Sequence, residues 1–370
     1  MTTSAFRPIR LARAACGALS IAVSIAATAA TAFAQATSCS ATSSSMTPAA
    51  WVAPPVAATP ASRGALHLVA IQDVALPGPA NRFDYQSIDP AKGRLYISHM
   101  GAGHLLVVDL ESRRVIADVA RVDRATGVWA VPAEHRVYVS AAGRHELIAL
   151  DDSTFKVAWR ASGIRFPDGI AYAPAERKVF VSDESGEADV VIDARTGARL
   201  ARIALGGEAG NTHYDSVSHC IVVAVQTRNQ LAAIDPRTER VVARYDLPRS
   251  DEPHGFAIDE PGRLAFVTGE GNAMMQVVDL RTMRVVSSHA VGADPDVAAW
   301  DPGWRRLYIA SESGVVSVFD ATGPTLRLVE EVRAPHAHTV AVDPRTHLVY
   351  LPLENVGGHP FLRIMAARER

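Results

Sequence analysis

Acidic and imidazole side chains recur along this chain at intervals of about 42 residues. One set of repeat-related positions comprises Asp84, Thr126, Asp168, Gly210, His254, Asp296 and His338. A second set, 16 residues further along in each repeat, comprises Met100, Ala142, Glu184, Gln226, Glu270, Glu312 and Glu354. Four of these pairs join His or Asp to Glu. Such side chains can bind a divalent metal ion or transfer protons.

The segments around these residues predict the elements that position them. A run rich in Val, Ile and Tyr lies shortly before the second set, at residues 94–98, 136–140, 178–182, 220–224, 263–267, 306–310 and 347–351. An aspartate ends another run at Asp109, Asp151, Asp193, Asp235, Asp279 and Asp320. Turn residues such as Pro90 and Gly93 precede the first kind of run and supply the backbone angles of a tight turn. We therefore predict four short strands in each repeat.

Repeats of this length with four strands are typical of β-propeller blades, whereas solenoid repeats are shorter. Seven copies are visible, and the last ends after residues 362–365 without a fourth strand. The segment 66–75 precedes the first complete copy and resembles an outer strand. We predict an all-β, seven-bladed β-propeller of four-stranded blades over residues 65–370. Its ring is closed by this N-terminal strand in the last blade, which removes the open sheet edges.

The repeats resemble those of the bacterial YVTN-repeat β-propeller family. The resemblance rests on Tyr138, Val139 and Ser140 with their equivalents, and on threonine-led tails at 196–200 and 238–242. It covers roughly residues 66–366, although no repeat has the complete tetrapeptide and 266–269 comes nearest. The resemblance implies a secreted or periplasmic propeller and does not imply a single activity.

In a propeller, the loop that enters the first strand and the loop after the second strand emerge on one face, around the central channel. The two residue sets should therefore meet there. We predict ligand-binding residues at Asp84, Asp168, His213, His254, Asp296, His338 and Trp129. We predict possible metal ligands at His254, His338, Asp296 and Asp168, with Glu184, Glu270, Glu312 and Glu354 as secondary candidates, each Glu being paired within its own repeat. A divalent metal ion is the one cofactor that these residues indicate.

The first residues predict export. Arg7, Arg10 and Arg13 precede a run of small apolar residues at 14–34, which ends in a pattern typical of a signal-peptidase site. We predict a signal peptide at 1–34, a flexible linker rich in Ser, Thr, Ala and Pro at 35–64, and a periplasmic or secreted protein with no transmembrane span after cleavage. A membrane anchor is the alternative, but Ala and Ser are only weakly apolar.

Charge and cysteine content exclude several partners. Loss of the three N-terminal arginines leaves 34 basic against 39 acidic residues, without a basic block, so a strong nucleic-acid signal is missing. Cys39 and Cys220 could pair in an oxidising compartment if the linker lay against a blade, and the sequence leaves this open. The absence of a Cys-x-x-Cys motif argues against a thiolate zinc site or covalently attached haem.

Three functions remain open. The first is a scaffold that binds an unknown small molecule or protein at the polar channel mouth, which needs no catalytic residue, and none is assigned. The second is a metal-dependent lactonase or lyase with a His, Asp and Glu site on the propeller axis. The third is binding of nucleic acid or of a cell-surface polymer. The lack of a Gly-x-Ser-x-Gly or His-Glu-x-x-His motif favours the first.

Overall fold

A computed structural model of the chain describes Cys39, residues 66–322 and residues 325–369. The predicted signal peptide at 1–34 and, apart from Cys39, the predicted linker at 35–64 lie outside the described residues. Within the described residues, 28 strands form seven four-stranded antiparallel sheets. No helix in these ranges is long and apolar enough to cross a membrane.

The predicted seven-bladed β-propeller is confirmed. The innermost strand of each sheet contacts the innermost strands of the two adjoining sheets, and the last contacts the first, so the sheets form a ring of blades around a channel. Blades one to three consist of β2 (Gln86–Asp89), β3 (Arg94–His99), β4 (His104–Asp109) and β5 (Arg114–Val119); β6 (Ala125–Val131), β7 (Arg136–Ala141), β8 (Glu146–Asp151) and β9 (Val157–Ser162); and β10 (Pro167–Ala173), β11 (Lys178–Asp183), β12 (Ala188–Asp193) and β13 (Arg199–Ala204).

The remaining blades follow the same order from the channel outwards. Blades four to six consist of β14 (Ala209–Asp215), β15 (Cys220–Val225), β16 (Gln230–Asp235) and β17 (Arg240–Asp246); β18 (Pro253–Asp259), β19 (Leu264–Gly269), β20 (Met274–Asp279) and β21 (Arg284–Ala290); and β22 (Pro295–Asp301), β23 (Arg306–Ser311), β24 (Val315–Asp320) and β25 (Arg327–Arg333). Blade seven consists of β26 (Ala341–Val342), β27 (Val349–Val356), β28 (His359–Glu369) and β1 (Leu66–Ala75).

Blade seven therefore contains both ends of the described chain. The outer strand β1 pairs antiparallel with β28 from Leu66 opposite Glu369 to Ala75 opposite Phe361, with one bulge. A bidentate ion pair between Asp73 and Arg363 spans this junction, at 2.7 and 2.9 Å. The pairing of β1 with β28 thus completes the four-stranded sheet of blade seven and closes the ring of described strands.

Repeated aspartates explain the regular turns. In most blades the aspartate at the end of the third strand accepts hydrogen bonds from the backbone amides of the following turn, as Asp193 does from Thr196 at 2.7 Å. The aspartate at the end of the first strand does the same, as Asp301 does from Gly303 at 3.0 Å. These side chains replace backbone partners that the sharp turns cannot provide. The aspartates that identify each repeat in the sequence therefore also stabilise its turns.

The core lies between neighbouring blades. An aromatic ring near the start of the second strand is almost completely buried in six blades, at the third position in five of them and at the second in β27: Tyr96, Tyr138, Phe180, Phe266, Tyr308 and Tyr350. These rings pack with Val, Ile, Leu and Ala of the adjoining sheet, and the Tyr138 hydroxyl donates a hydrogen bond to the Ala194 carbonyl of the next blade. Because each blade is a wedge, large side chains on its faces fill the space that widens outwards.

A disulfide bond joins Cys39 to Cys220, across 181 residues of sequence. Cys220 is the first residue of β15, so the bond lies where the first and second strands of blade four are connected. This is the pairing that the sequence left open. It ties a residue that precedes the propeller by more than two dozen positions to a blade on the opposite part of the ring from β1.

Candidate functional site

A polar cavity of about 300 Å³ lies at the end of the channel where the first strands begin. Its lining includes six carboxylates, two guanidinium groups and two imidazoles, and the full set is Arg82, Asp84, Tyr85, Met100, Arg124, Thr126, Phe166, Asp168, Glu184, His254, Glu270, Asp296, Glu312 and His338. Negative charge therefore exceeds positive charge when the imidazoles are neutral. We call this space the polar cavity.

Most of the predicted site residues line the polar cavity. Asp84, Asp168, His254, Asp296 and His338 come from five different blades and all are buried. Three of the secondary candidates, Glu184, Glu270 and Glu312, line the same cavity, whereas Glu354 is outside its lining. The repeat spacing thus brings side chains that are far apart in sequence to one point on the channel.

Glycines allow this close convergence. Gly127 and Gly255 directly follow the leading residues Thr126 and His254. A Cβ atom at Gly127 would lie 2.0 Å from the Asp168 carbonyl oxygen, and one at Gly255 would lie 1.5 Å from that of Asp296. Any larger residue would therefore push the neighbouring first strands apart and separate the residues that lead them.

Asp296 is the centre of the cluster, with an imidazole on each side. Its Oδ1 lies 3.3 Å from Nε2 of His254, and its Oδ2 forms a very short ion pair with Nε2 of His338. Asp84 Oδ1 is 3.4 Å from the same His338 nitrogen. One carboxylate therefore faces two histidines with its two separate oxygens.

Two glutamates lie close to the Nδ1 atoms of His254 and His338. Glu270 Oε1 lies 3.7 Å from Nδ1 of His254, within one blade as expected. His338, however, faces Glu312 of the preceding blade, with Nδ1 at 3.1 Å from Oε1, and the predicted pairing of His338 with Glu354 is wrong. Glu354 instead lies 4.0 Å from His336. The ladder of blade seven explains this, because β26 pairs with β27 only at Ala341 and Val342 and does not hold His338 to its own second strand.

Tyr85 is a site residue that the sequence analysis did not identify. Its buried hydroxyl donates a hydrogen bond to Asp168 Oδ2 at 3.1 Å and is 3.0 Å from Nε2 of His254. It thereby connects blade one to blades three and five across the channel. The available clue is its alignment, because Tyr85 occupies the repeat position that holds Gly127, Gly169 and Gly255 in other blades.

Arg82 is the second unpredicted residue of the site. Its Nη1 lies 3.0 Å from Glu312 Oε1, and its Nη2 lies 3.1 Å from Nε2 of His338. Burial lowers the pKa of Arg82, but the charges of Asp84, Glu312 and Asp296 outweigh it and raise that pKa. The guanidinium thus compensates part of the negative charge at the rim, where its side chain remains 44% exposed.

The electrostatics separate the carboxylates into two groups. Burial raises the pKa of Asp168 well above its usual range and, against the attraction of His254, raises that of Glu270 to about 7. Burial would also raise the pKa of Asp296, but the charges of His338 and His254 lower it below its usual value. Asp296 is therefore the carboxylate that remains ionised between the imidazoles.

Both histidines bind protons more tightly than free imidazole. Burial lowers the pKa of His254, but the charges of Glu270, Asp296 and Asp168 outweigh it and raise that pKa to about 9. For His338, the effect of burial is likewise outweighed, mainly by Asp296, and its pKa is well above the usual value. In this structure, protons supply the positive charge that the carboxylates require.

Three buried polar atoms in this cluster form no hydrogen bond: Nδ1 of His254, Oδ1 of Asp296 and Nδ1 of His338. Each of them nevertheless lies close to a charged side chain: Glu270 is 3.7 Å from Nδ1 of His254, Glu312 is 3.1 Å from Nδ1 of His338, and His254 Nε2 is 3.3 Å from Oδ1 of Asp296. Two sets of donor atoms, each within 4.8 Å of one another, are suitable for a metal ion, one from Asp84, Asp296 and His338 and the other from His254, Glu270 and Asp296. The residues present therefore fit a cation that binds nitrogen and oxygen ligands.

His213 and Trp129 lie elsewhere, in a second cavity of about 540 Å³ further along the channel. We call this the apolar cavity, since Trp129, Phe256, Trp300 and alanines of several first strands line it. Both predicted residues are three positions past the leading residue of their strand, which places them about 10 Å beyond the polar cavity. Burial lowers the pKa of His213 to about 4, so this imidazole is neutral.

The fold and its channel define the chain as a seven-bladed β-propeller with an acidic, histidine-containing cavity. No protein-family model and no curated protein sequence matches it.

Several solved structures have the same fold. A streptogramin B lyase is 12% identical with a TM-score of 0.68, and the match covers 82% of this chain and 98% of the other. Virginiamycin B lyase from Staphylococcus aureus is 10% identical with a TM-score of 0.67, covering 81% and 99%. Kuenenia stuttgartiensis hydrazine synthase is 16% identical with a TM-score of 0.65, covering 80% and 96%. At these identities the likeness shows the fold alone.

Proposed function

We propose that this chain is an exported propeller of the YVTN-repeat type whose polar cavity binds a divalent cation and, through it, a small ligand. The observation that carries the proposal is the convergence of nitrogen and oxygen donor atoms from His254, Asp296 and His338, in which the buried Oδ1 of Asp296 forms no hydrogen bond. A buried polar atom without a hydrogen bond is costly in free energy. A metal ion bound to Asp296 would remove that cost at its Oδ1.

The charge of the cavity favours a cation over an anionic ligand as its first occupant. Six carboxylates face two guanidinium groups. Burial, with a further contribution from neighbouring carboxylates, raises the pKa values of Asp168 and Glu270. Carboxylates alone suit Mg²⁺ or Ca²⁺, whereas a set that includes imidazoles suits Mn²⁺, Fe²⁺ or Zn²⁺. The mixed set around Asp296 therefore favours a first-row transition metal. A ligand with a carbonyl or carboxylate oxygen could then complete the coordination.

Export is supported by the pattern of residues 1–34 and by the disulfide bond between Cys39 and Cys220. Structural disulfides persist in oxidising compartments and are rare in the bacterial cytosol. A periplasmic or secreted location is therefore part of the proposal. The acidic polar cavity also argues against nucleic acid as the ligand at this end of the channel.

A metal-dependent lyase or lactonase is the second candidate function. It is favoured by the hydrogen-bonded hydroxyl of Tyr85 beside His254, because this pair can hold or move a proton next to the carboxylate cluster. The names of two structural neighbours, a streptogramin B lyase and a virginiamycin B lyase, point to the same class. The ion would polarise a carbonyl oxygen, while His254 would accept or return a proton.

Elemental analysis of the full chain, purified without chelator, tests the proposal. We expect a stoichiometric divalent ion in the native protein and its loss in the His254→Ala/His338→Ala double variant. A His135→Ala variant is the matched control, since His135 is exposed and follows the end of β6 that lies away from the polar cavity. A folded native protein without any ion, even after incubation with Mn²⁺ or Zn²⁺, would refute metal binding. Turnover of lactones or streptogramins by the loaded protein only would favour the enzyme.

A further inference from the structure

The two candidate sets of metal ligands share one residue. Asp84, Asp296 and His338 form one set and are all buried, whereas His254, Glu270 and Asp296 form the other. Asp296 offers a different oxygen to each, with Oδ1 towards His254 and Oδ2 towards His338. A carboxylate that presents its two oxygens in this way can bridge two metal ions at the separation of about 3.5–4 Å typical of two-metal sites.

The charge of the polar cavity matches two divalent ions. Its six carboxylates and two guanidinium groups leave four negative charges when every carboxylate is ionised and both imidazoles are neutral, which is the state that bound cations favour. One divalent ion would leave two of these charges uncompensated in a buried cluster, which is costly unless protons are retained. Two divalent ions balance them.

His254 and His338 face different oxygens of Asp296, each with its Nε2 atom, while their Nδ1 atoms face Glu270 and Glu312. Oδ1 of Asp296, which belongs to the residue shared by both sets, forms no hydrogen bond. All three residues are more than nine-tenths buried. A single ion on either side would satisfy only one of the two histidines.

We propose that the polar cavity holds two divalent cations bridged by the carboxylate of Asp296. Asp84 and His338 bind the first ion, and His254 and Glu270 bind the second. This inference rests on the proposed cation-binding function and extends it to the number and arrangement of the ions. Arg82 Nη2, now 3.1 Å from His338 Nε2, moves aside when the first ion binds, which its half-exposed side chain permits.

Titration of the metal-free full chain with Mn²⁺, followed by calorimetry and electron paramagnetic resonance, tests this inference. We expect two ions per chain and a broadened, spin-coupled spectrum in place of the six-line signal of an isolated Mn²⁺. Asp84→Asn and Glu270→Gln should each reduce the stoichiometry to one and restore the six-line signal. Glu354→Gln, outside the polar cavity, is the control and should retain two coupled ions.

The outcomes separate this inference from the function on which it rests. No binding of Mn²⁺, Fe²⁺ or Zn²⁺ would overturn both. One ion per native chain, lost in His254→Ala/His338→Ala, would overturn the two-ion arrangement and leave the cation-binding function intact. Two ions that persist in a folded Asp296→Ala variant would place the ions elsewhere and overturn the bridging role. Circular dichroism and thermal unfolding of each variant confirm that the compared proteins are folded.

Discussion

The two cavities of the central channel differ sharply although the same seven strands build both. At the polar cavity, His254 lies among carboxylates and its pKa rises to about 9. In the apolar cavity, His213 lies edge-on to Phe256, with ring centroids 4.4 Å apart, and its pKa falls to about 4. Tyr85 lines both spaces and forms the boundary between them. A histidine at the leading position of a first strand is therefore charged, whereas a histidine three positions further along another first strand is neutral.

This difference shows that the position of a residue along the first strand determines whether its side chain lies among charged or apolar groups. The leading residues of the strands meet at the polar cavity, which is lined by acidic and imidazole side chains from five blades. Further along, Ala and aromatic residues line the channel and provide no carboxylate close to the histidine. Position in the repeat, more than residue type, therefore identifies the candidate site.

The largest expected difference is between removal of a histidine from the polar cavity and removal of one from the apolar cavity. His338→Ala should weaken binding of Mn²⁺ or Zn²⁺ by more than about 100-fold, because it deletes a ligand, and even outer-shell changes often cost 10–100-fold. His213→Phe, a change of similar shape in the apolar cavity, should leave the affinity unchanged. Calorimetric titration measures both. Equal losses in the two variants would show that the comparison between the cavities is wrong.

The pH dependence of stability should have opposite signs at the two ends. The pKa of His254 rises from 6.5 to about 9 on folding, so its stabilising contribution is present below pH 6.5 and is lost as pH rises through 9. The pKa of Glu270 rises from 4.5 to about 7, which acts in the same direction. His213 has a lowered pKa, so its contribution is lost as pH falls from 6.5 towards 4.

Urea unfolding of the chelator-treated protein between pH 4 and pH 10 measures this balance. We expect the free energy of unfolding to fall by roughly 2–3 kcal/mol between pH 6 and pH 9.5, since each unit of pKa shift corresponds to about 1.4 kcal/mol. A His254→Gln variant should lose most of that slope, and His213→Phe should keep it. The same slope in all three proteins would contradict the assignment to His254.

Removal of the Tyr85 hydroxyl should have a smaller effect. Tyr85→Phe leaves Asp168 and His254 without their shared partner, and we expect a loss of about 1–3 kcal/mol in the free energy of unfolding. Tyr214→Phe at the other end removes a half-exposed hydrogen bond to His219 and should cost about 1 kcal/mol or less. Chemical denaturation of both variants ranks them, and a reversed order would refute the role of Tyr85 as the boundary.

The smallest effect is expected for Trp129. This side chain is 36% exposed in the apolar cavity, so Trp129→Ala should lower the free energy of unfolding by about 1 kcal/mol. Its metal affinity should equal that of the native protein. A weaker metal affinity in this variant would indicate that the two cavities are coupled through Tyr85, which would sharpen the comparison.

The sequence predicted the fold well because the repeat signals are local. The turn aspartates, the Val- and Ile-rich runs and the regular spacing each act within one blade, and the seven copies confirm one another. The leading positions of the strands, including Asp84, Asp168 and Asp296, follow directly from that register. Their convergence on one cavity needed no further information, because a ring brings equivalent positions together.

Contacts between blades were not predictable in this way. The approach of Glu312 to His338 depends on the short β26, and no repeat pattern indicates where a ladder will shorten. The reach of Tyr85 across the channel depends on the width of the ring, which the sequence of one blade does not contain. The sequence analysis placed His213 and Trp129 in the same site as the leading residues, whereas they line the apolar cavity. The repeat alignment gives the position of a residue along its strand, but it does not show which cavity lies beside that position.

The junction in blade seven has a consequence for the order of events during synthesis. β1 is the first of the described strands to be synthesised and its partner β28 is the last, with 290 residues between Asp73 and Arg363. Until β28 has been made, β1 has no partner and the ring of blades remains open, so the described propeller cannot complete its fold. The C-terminal strand β28 is therefore required before all seven blades can close into a ring.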